Sequence, residues 1–281
     1  MNDWFEQVGR PLPWRNPGVS PWAVLVSEVM SQQTPVARVA PAWQAWQQRW
    51  PVPYDVAHAS RAEILKMWGK LGYPRRALRL WECANQLVVE HNGQVPADVS
   101  QLLALPGIGD YTARAVAAFA FGQRVAAVDI NVRRVYRRAW LGQFDPGAAT
   151  TKSDITGVQA VLDRDPSVSP VSLMELGALV CRPRPLCPQC PLQPQCAWVA
   201  AGSPIPESAP ARRKQKYVGT DRQVRGLLLD VLRAHPTGSG VEQRLLDAVW
   251  DDAVQRTRAL DSLLDDGLLT RDAAGLYYLP H

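Results

Sequence analysis

Apolar side chains recur along the first two hundred residues with the spacing of amphipathic helices, and strict apolar–polar alternation is scarce. Breakers such as "PVPY", "NGQVP" and "DPGAAT" separate the periodic runs. The pattern predicts helices over residues 21–31, 36–50, 62–69, 75–92, 99–104, 110–121, 131–139 and 173–180. We therefore expect an all-helical fold for this part of the chain.

The last third of the chain has a different pattern. Residues 201–217 are rich in Pro, Ser and Ala and are expected to form a linker with a basic end. Residues 218–281 then predict three short helices and a β-hairpin turned at Asp272–Gly275. This order of elements is typical of a small winged-helix module, which binds DNA or protein or only packs against its neighbour.

The composition, 47% hydrophobic and 20% charged in 281 residues, is that of a folded protein and excludes wholesale disorder. The net charge of +5 suits a polyanionic partner. The N-terminal segment lacks the apolar run of a secretory signal, and no apolar stretch has the length of a membrane span. We expect a cytoplasmic monomer whose eleven tryptophans mostly pack in the core.

Four of the five cysteines lie close together in "CRPRPLCPQCPLQPQC": Cys181, Cys187, Cys190 and Cys196. Without a secretion signal, disulfides are a poor explanation for this group. The C-x5-C-x2-C-x5-C spacing lets the four thiolates converge on a [4Fe–4S] cluster or a Zn²⁺ ion, and it favours the cluster. Its expected role is structural. The fifth, Cys83, is expected to be a packed thiol.

A glycine-containing turn, "LPGIGDYTA", joins two predicted helices. Gly107 and Gly109 let the backbone approach a ligand closely, and the N-terminus of the following helix favours a phosphate. The simpler interpretation is an ordinary helix–turn–helix connection. The four arginines of the nearby "NVRRVYRR" cannot all face one way on a helix, so only some of them are available to DNA phosphates.

Two carboxylates stand out because of their surroundings. Glu28 lies in the apolar run "AVLVSEVM", where burial would raise its pKa and let it hold a proton. Asp129 precedes "INVRRV" as a natural helix N-cap, which would keep its pKa low and its side chain ionised. Such a pair supplies one acid and one electrostatic partner. The alternatives are a buried salt bridge for Glu28 and a purely capping role for Asp129.

The motifs "LPWR", "SEVMSQQT", "KLGYPRRA", "LPGIGDYTA" and "VDINVRRV", with the cysteine loop, resemble the adenine DNA glycosylases of the MutY type. These belong to the helix–hairpin–helix superfamily that includes endonuclease III. The resemblance covers roughly residues 4–200. It implies two helical lobes with a DNA groove between them, one a six-helix barrel of residues 22–128 and the other formed by residues 1–21 and 129–200 with a [4Fe–4S] cluster.

The resemblance also assigns roles to individual residues. Glu28 matches the catalytic acid, Asp129 the catalytic aspartate, Asn131 its neighbour, and Tyr111 a position where related enzymes carry tyrosine or serine. The residues matched to DNA and lesion binding are Arg15, Gln32, Gln33, Thr34, Leu71, Tyr73, Gly107 and Gly109, of which Gln33 and Tyr73 enter the base stack. The four clustered cysteines match the metal ligands.

The implied reaction is the removal of adenine mispaired with 8-oxoguanine or guanine in double-stranded DNA. Glu28 would protonate N7 of the extruded adenine, and ionised Asp129 would stabilise the sugar cation. Members that also cut the backbone carry a Schiff-base lysine where this chain has Tyr111. A monofunctional enzyme is therefore expected.

Some features depart from the family pattern. Ser31 and Pro74 replace the usual residues, and the gap between Cys181 and Cys187 is one residue shorter than usual. Residues 218–281 are too short for the usual β-rich domain that inspects 8-oxoguanine. Preference for 8-oxoguanine over guanine is therefore left open. A tyrosine at the position of Tyr111 also occurs in thymine-mismatch glycosylases, so a thymine or uracil glycosylase is one alternative. A non-catalytic iron–sulfur DNA-binding protein is the other.

Overall fold

Helices make up most of the chain in the computed structural model, which describes residues 1–144, 147, 149–205 and 217–281. The α-helices are α1 (Asn2–Val8), α2 (Pro21–Ser31), α3 (Val36–Arg49), α4 (Pro53–His58), α5 (Arg61–Trp68), α6 (Arg75–His91), α7 (Val99–Leu103), α8 (Asp110–Phe121), α9 (Ile130–Leu141), α10 (Lys152–Arg164), α11 (Pro170–Leu179), α12 (Ala197–Ala200), α13 (Asp221–Ala234), α14 (Gln243–Asp247) and α15 (Ala253–Asp265). Two short strands, β1 (Thr270–Arg271) and β2 (Tyr277–Tyr278), follow α15. Among the described helices, none is both long and apolar enough to cross a membrane.

All eight helices predicted for the first two hundred residues are present, with ends that differ by at most three residues. Sequence reasoning missed α1, α4, α10 and the single turn α12. Helix α10 escaped notice because Gly157 interrupts its pattern. A Cβ at this position would overlap the Tyr136 hydroxyl, so the glycine lets α10 pack closely on α9. Most of the predicted linker lies outside the described residues.

One compact unit consists of Met1–Glu28, Pro96–Ala104 and the described residues from 108 to 205. Its core lies where α9, α10 and α11 pack together and includes Val132, Val135, Val158, Leu162, Leu173 and Leu176. Burial of each such side chain stabilises the fold by roughly 1.5–3 kcal/mol. The core fixes α9, and with it Asp129 at the helix N-terminus.

The other compact unit consists of Val29–Val95, Leu105–Gly107 and the described residues from 217 onward. Trp46 of α3 and Trp68 of α5 are buried in its core, and their rings meet edge to face with centroids 6.1 Å apart. Trp50 packs on Trp46 in the same manner at 4.8 Å. The expected packing role is confirmed for these three tryptophans. The lobe boundaries implied by the resemblance stay a prediction.

The C-terminal elements of this second unit are the predicted three helices and a β-hairpin. Strands β1 and β2 pair antiparallel, with Thr270 opposite Tyr278, and Gly275 has the positive φ of 84° that the tight turn requires. Val224, Leu228, Leu232, Leu246, Leu260 and Leu263 form the apolar interior of this segment. The predicted elements are thus confirmed, whereas the assignment as a winged-helix module stays a prediction. We call residues 217–281 the C-terminal module.

Candidate active site

Glu28 lies near the C-terminal end of α2 with only 8% of its surface exposed. Its helix neighbours Leu25, Val26 and Met30 are completely buried, as the apolar pattern of the sequence predicts. The Tyr111 hydroxyl, at the N-terminal end of α8, donates a hydrogen bond to Glu28 Oε2 at 3.2 Å. In the described part of the chain Glu28 forms no salt bridge, which removes the alternative interpretation of this residue.

The pKa of Glu28 is raised from its ordinary 4.5 to about 7. Burial is the largest cause, because it penalises the charged carboxylate. The hydrogen bond from Tyr111 lowers the pKa, the negative charge of Asp129 raises it, and the positive charge of Arg15 lowers it. The predicted rise in the pKa of Glu28 is therefore confirmed.

Asp129 caps the N-terminus of α9. Its Oδ1 accepts hydrogen bonds from the backbone N–H groups of Asn131 and Val132, both at 2.8 Å, and its Oδ2 accepts one from Asn131 Nδ2 at 2.7 Å. The predicted cap is confirmed. The predicted low pKa is wrong, because burial raises the pKa of Asp129 by more than these hydrogen bonds lower it.

Tyr111 and Asn131 complete the group around the two carboxyls. Burial and the nearby carboxylates raise the pKa of Tyr111 well above its ordinary value, so its hydroxyl remains a donor at neutral pH. Asn131 is held by Arg134, which donates to Asn131 Oδ1 at 2.8 Å. The amide therefore has a fixed orientation, with its Nδ2 pointing to Asp129.

Arg15 is held by a buried carboxylate that sequence reasoning missed. Its Nη2 donates to Glu175 Oε2 at 2.9 Å, and Arg10 binds both oxygens of Glu175 at 2.7 and 2.9 Å. Glu175 is fully buried, and these donors lower its pKa to about 2. The signal was present in the sequence, since Glu175 stands among apolar residues in "SLMELGALV" just as Glu28 does in its own helix.

Five of the residues assigned to DNA and lesion binding fall into two backbone segments of the other unit: Gln32, Gln33, Thr34, Leu71 and Tyr73. Thr34 joins them, because its hydroxyl donates to the carbonyl of Leu71 at 3.1 Å. Gln33 and Tyr73, the two residues expected in the base stack, have positive φ values of 55° and 48°. A non-glycine residue adopts this left-handed conformation only where its surroundings impose it, and such residues concentrate at binding sites.

Arg76, on the first turn of α6, fixes both segments and was also missed. Its guanidinium donates to the carbonyls of Val29, Met30, Gln32 and Gly72 and to the Thr34 hydroxyl, at 2.6 to 3.1 Å. It also lies over the Tyr73 ring, 5.6 Å from the ring centroid. Burial lowers the pKa of Arg76 to about 10, so it stays charged at neutral pH.

Of the two glycines in the turn, only Gly107 occupies a position where a larger residue would not fit. Gly107 has a φ of 77°, and a Cβ there would lie 2.7 Å from Arg79 Cβ, so both conformation and space require glycine. Gly109 is the N-cap of α8 with an extended conformation, and a Cβ would meet nothing within 4 Å. No side chain caps α8 at Gly109, which leaves this helix terminus to a ligand or water.

The arginines of α9 serve the protein interior. Arg133, Arg134 and Arg138 are buried and donate mostly to backbone carbonyls, for example Arg134 Nη2 to Gly177 at 2.8 Å. Arg137 forms a salt bridge with Asp154 at 2.8 Å. These four side chains therefore hold the fold around Asp129 in place. The sequence predicts that some of them are available to DNA phosphates, whereas in the structure each of the four binds a group of the protein itself.

The four clustered cysteines line one small cavity, together with Arg138 and Trp198. None of them forms a disulfide. Four free thiols directed at one apolar cavity fit a centre with four sulfur ligands. In the described residues, however, no three His, Cys, Asp or Glu side chains are already grouped as metal ligands.

Comparison with known proteins relates these features to families. Residues 26–158 match the family described as "HhH-GPD superfamily base excision DNA repair protein". The chain is 54% identical over 282 residues to the adenine DNA glycosylase of Mycobacterium tuberculosis, which covers 99% of this chain and 91% of that protein. This match is long enough to include the C-terminal module.

Two solved structures share the fold. A thermostable thymine-DNA glycosylase is similar with a TM-score of 0.63 and 26% identity, over 71% of this chain and 93% of that one. A trapped endonuclease III–DNA covalent intermediate is similar with a TM-score of 0.58 and 25% identity, over the same shares of the two chains. The helical glycosylase fold expected from the sequence is thus confirmed.

Proposed function

Because the chain belongs to the adenine DNA glycosylases, base excision DNA repair enzymes of the HhH-GPD superfamily, we propose that it hydrolyses the N-glycosidic bond of adenine mispaired with 8-oxoguanine or guanine. The observation that carries the proposal is the buried acid Glu28, with a pKa of about 7, bonded to Tyr111 and within electrostatic reach of Asp129. Membership of an enzyme family decides against the non-catalytic alternative.

The first step is protonation of the leaving base. The adenine leaves the duplex, which requires a few kcal/mol of unstacking and unpairing. Glu28 then donates its carboxyl proton to adenine N7, the C1′–N9 bond breaks, and its electron pair departs with the neutral base. A pKa near 7 suits this role, because the group holds a proton at neutral pH and yet releases it readily.

The second step is addition of water to the sugar. Loss of adenine leaves an oxocarbenium-like cation at C1′, which the carboxylate of Asp129 stabilises. The bonds from Asn131 and Val132 favour the ionised form of Asp129 and fix its position. Water adds to C1′ and passes a proton to Glu28, which restores the acid and leaves an abasic site.

The reaction ends at the abasic site because the chain has no amine at the position of Tyr111. Enzymes that also cleave the backbone use a lysine there, whose amine attacks C1′ and forms a Schiff base with the sugar. Tyr111 instead donates a hydrogen bond to Glu28. The hydroxyl thus assists the acid, and the enzyme is monofunctional.

Contacts with DNA are proposed for the residues that the resemblance assigns. The uncapped N-terminus of α8, after Gly107 and Gly109, accepts a backbone phosphate. Gln33 and Tyr73 enter the base stack, with Gln32, Thr34 and Leu71 beside them, and Arg15 belongs to the pocket for the extruded base. The substrate is double-stranded DNA and the enzyme acts as a monomer.

The proposed cofactor is a [4Fe–4S] cluster held by Cys181, Cys187, Cys190 and Cys196, the four thiols around one cavity. When bound, such a cluster crosslinks the ends of its loop and provides no acid or base to the excision reaction. Arg138 donates to the carbonyl of Arg182 and lies 3.6 Å from Cys181 Sγ, so α9 and the cysteine loop support each other.

Excision assays test the function directly. Oligonucleotide duplexes carrying A, T or U opposite G, 8-oxoguanine and C are incubated with the protein, and abasic sites are cleaved with alkali. We expect release of adenine opposite 8-oxoguanine and G, and none by Glu28→Gln. Duplexes that all remain intact with the wild-type protein would reject a glycosylase of this type.

A thymine or uracil glycosylase is the second candidate, since the chain shares its fold with a thymine-DNA glycosylase. The same assay separates the two. Release of T or U opposite G without release of A favours this candidate and rejects adenine as the substrate. Comparison of G and 8-oxoguanine opposite adenine then gives the preference between these two partner bases.

A further inference from the structure

The loop that carries Leu71 and Tyr73 has an unusual backbone. Gly69, Gly72 and Tyr73 have positive φ values of 50°, 82° and 48°. The two glycines adopt this conformation freely, whereas the tyrosine requires contacts that impose it. Arg76 supplies part of these contacts, through Gly72 and the Tyr73 ring.

Helix α13 of the C-terminal module supplies further contacts to the same segment, within the same compact unit. Arg233 Nε donates to the carbonyl of Leu65 at 3.0 Å, and Lys66 donates to the carbonyl of His235. Salt bridges join Lys70 to Asp230 of α13 at 3.6 Å and Arg75 to Asp266, the residue after α15, at 3.2 Å. The module is therefore attached along residues 65–75, the part of the chain that carries the buried Leu71 and the exposed Tyr73.

Arg222 is the residue of α13 that reaches Tyr73 itself. Its Nη1 donates to the Tyr73 hydroxyl at 3.1 Å, and its guanidinium lies 5.8 Å from the centroid of that ring. The same guanidinium lies 5.1 Å from the centroid of Tyr217. All three side chains are exposed, with Tyr73 at 39% and Tyr217 at 48%. Exposed aromatic rings combined with arginine are typical of surfaces on which nucleic-acid bases stack.

We propose that Arg222 is a specificity-determining positioning residue, which fixes the Tyr73 side chain for insertion beside the mismatched pair. The C-terminal module then takes part in mismatch recognition at the glycosylase site and is not a separate binding module. This inference rests on the proposed function, because it concerns the placement of Tyr73 in DNA.

The expected consequence is a loss of discrimination. A tyrosine ring that is held before DNA binds loses less conformational freedom when it enters the stack. A mismatched pair opens more easily than a matched one, so a correctly placed ring favours the mismatch. Removal of Arg222 should reduce that preference by roughly three- to tenfold, the net effect of one ordinary hydrogen bond between solvent-exposed groups. The chemistry should not change, since Glu28 is bonded to Tyr111, and Asp129 to Asn131 and Val132.

Binding measurements on Glu28→Gln protein, which leaves the adenine in place, isolate this effect. Fluorescence anisotropy gives Kd for a duplex with A opposite G and for a duplex with A opposite T. We compare the ratio of the two constants in the Glu28→Gln background with and without Arg222→Ala. Arg244→Ala is the matched control, because Arg244 is an exposed arginine of the same module that pairs with Glu242.

Two further variants separate positioning from a general charge effect. Arg222→Lys keeps the charge and one donor, and should restore part of the lost preference. Tyr73→Phe removes the hydroxyl that accepts from Arg222, so the combination of Tyr73→Phe with Arg222→Ala should lose less than the sum of the two single effects. Thermal unfolding of Arg222→Ala should match that of Arg244→Ala, since both side chains are exposed.

The proposal is overturned if Arg222→Ala keeps the mismatch preference of Arg244→Ala, or if its effect adds in full to that of Tyr73→Phe. It is also overturned if Arg222→Ala lowers the single-turnover excision rate at saturating enzyme more than about twofold, since chemistry would then be affected. If the wild-type protein releases no adenine while Arg222→Ala still reduces the preference for the mismatch, the proposed function fails and the positioning role stands.

Discussion

The Tyr111 hydroxyl donates a hydrogen bond to Glu28 Oε2 at 3.2 Å, and both groups are buried. The pKa of Tyr111 is raised well above its ordinary value, so the hydroxyl keeps its proton and acts as the donor. The bond stabilises the carboxylate form of Glu28, while burial, the larger effect, destabilises it. The balance places the pKa of Glu28 at about 7, where a proton is both held and released.

The pH dependence of excision should therefore follow Glu28. The single-turnover rate constant should fall about tenfold per pH unit above pH 7, because only the protonated form of Glu28 reacts, and it should fall again at acidic pH, where Asp129 with its raised pKa takes up a proton. Tyr111→Phe removes a bond that lowers the pKa of Glu28, so the pKa rises and the fall moves to higher pH. Rate measurements between pH 5 and 9 check this. Tyr54→Phe, at an exposed tyrosine of α4, should leave the midpoint unchanged, and a lower midpoint in Tyr111→Phe contradicts the assignment.

Glu28→Gln should abolish excision and yet stabilise the protein at alkaline pH. The pKa of Glu28 is raised to about 7 in the folded state from 4.5. The folded state therefore binds the proton more tightly than the unfolded state, and the stability that this provides is full below pH 4.5 and lost as pH rises through 7. Above pH 7 the buried carboxylate costs about 3 kcal/mol.

Urea unfolding at pH 5 and pH 8.5 measures this difference. The gain in the free energy of unfolding from Glu28→Gln should appear at pH 8.5 and nearly vanish at pH 5. Glu6→Gln, at an exposed glutamate of α1, removes the same charge and should show no such dependence on pH. An equal change at both pH values in Glu28→Gln argues against a buried, proton-holding acid.

Asp129→Asn separates the charge of this residue from its capping role. Asparagine is as good an N-cap as aspartate, so the free energy of unfolding should change by no more than about 1 kcal/mol. Excision should fall by roughly 10²- to 10³-fold, since a fixed charge beside the sugar cation is lost. The remaining activity should have its alkaline fall at lower pH, because Asp129 raises the pKa of Glu28.

The control for Asp129→Asn is another capping aspartate. Asp98 caps α7 by accepting from the backbone N–H groups of Ser100 and Gln101, and it lies on the surface. Asp98→Asn should leave the rate and its pH dependence unchanged. A comparable loss of activity in both variants would assign the effect to helix capping and not to the charge of Asp129.

The positions of the candidate site followed from local patterns. Glu28 could be placed on a buried helix because its apolar neighbours repeat with helical spacing, and Asp129 could be identified as a cap from the residues after it. The direction of the Asp129 pKa could not be predicted. Its hydrogen bonds come from adjacent residues, whereas the burial that outweighs them arises from packing by distant parts of the chain.

The residues that hold the site in shape were missed for the same reason. Glu175 binds Arg10 and Arg15 across more than 150 residues, and Arg76 binds carbonyls more than 40 residues earlier. Side-chain bonds to backbone carbonyls leave no pattern in a single sequence. The arginines of α9 show the converse, since a basic run that resembles a DNA-binding face is occupied by interior carbonyls and Asp154.

Cys190→Ser should abolish cluster binding, because four thiolates are needed around the cavity. Wild-type protein purified without oxygen should be brown and contain iron, while the variant should be colourless and poorly folded in the cysteine loop. Iron analysis and visible absorption check this. Cys83→Ala is the control, since Cys83 is buried in the other unit and should leave the iron content unchanged. A colourless wild-type protein with stoichiometric zinc would show that the four cysteines bind zinc and not an iron–sulfur cluster.

Arg76→Gln should weaken DNA binding through the shape of two backbone segments. The guanidinium binds the carbonyls of Met30 and Gln32, the Thr34 hydroxyl and the carbonyl of Gly72. A glutamine reaches at most two of these groups, so several carbonyls lose a charged donor, and the free energy of unfolding should fall by roughly 2–4 kcal/mol.

The measurements for Arg76→Gln are urea unfolding and Kd for the duplex with A opposite G. We expect a Kd at least tenfold higher, since Gln33 and Tyr73 lose their support, while the midpoint of the pH–rate profile stays near that of the wild type because Glu28 is not altered. Arg79→Gln provides the comparison on the same helix. Arg79 pairs with Glu82 at the surface, and the loss of such a pair changes stability by about 1 kcal/mol or less. Equal losses of affinity in the two variants would mean that α6 contributes only positive charge to DNA binding, and that the network around Arg76 has no special part in presenting Gln33 and Tyr73.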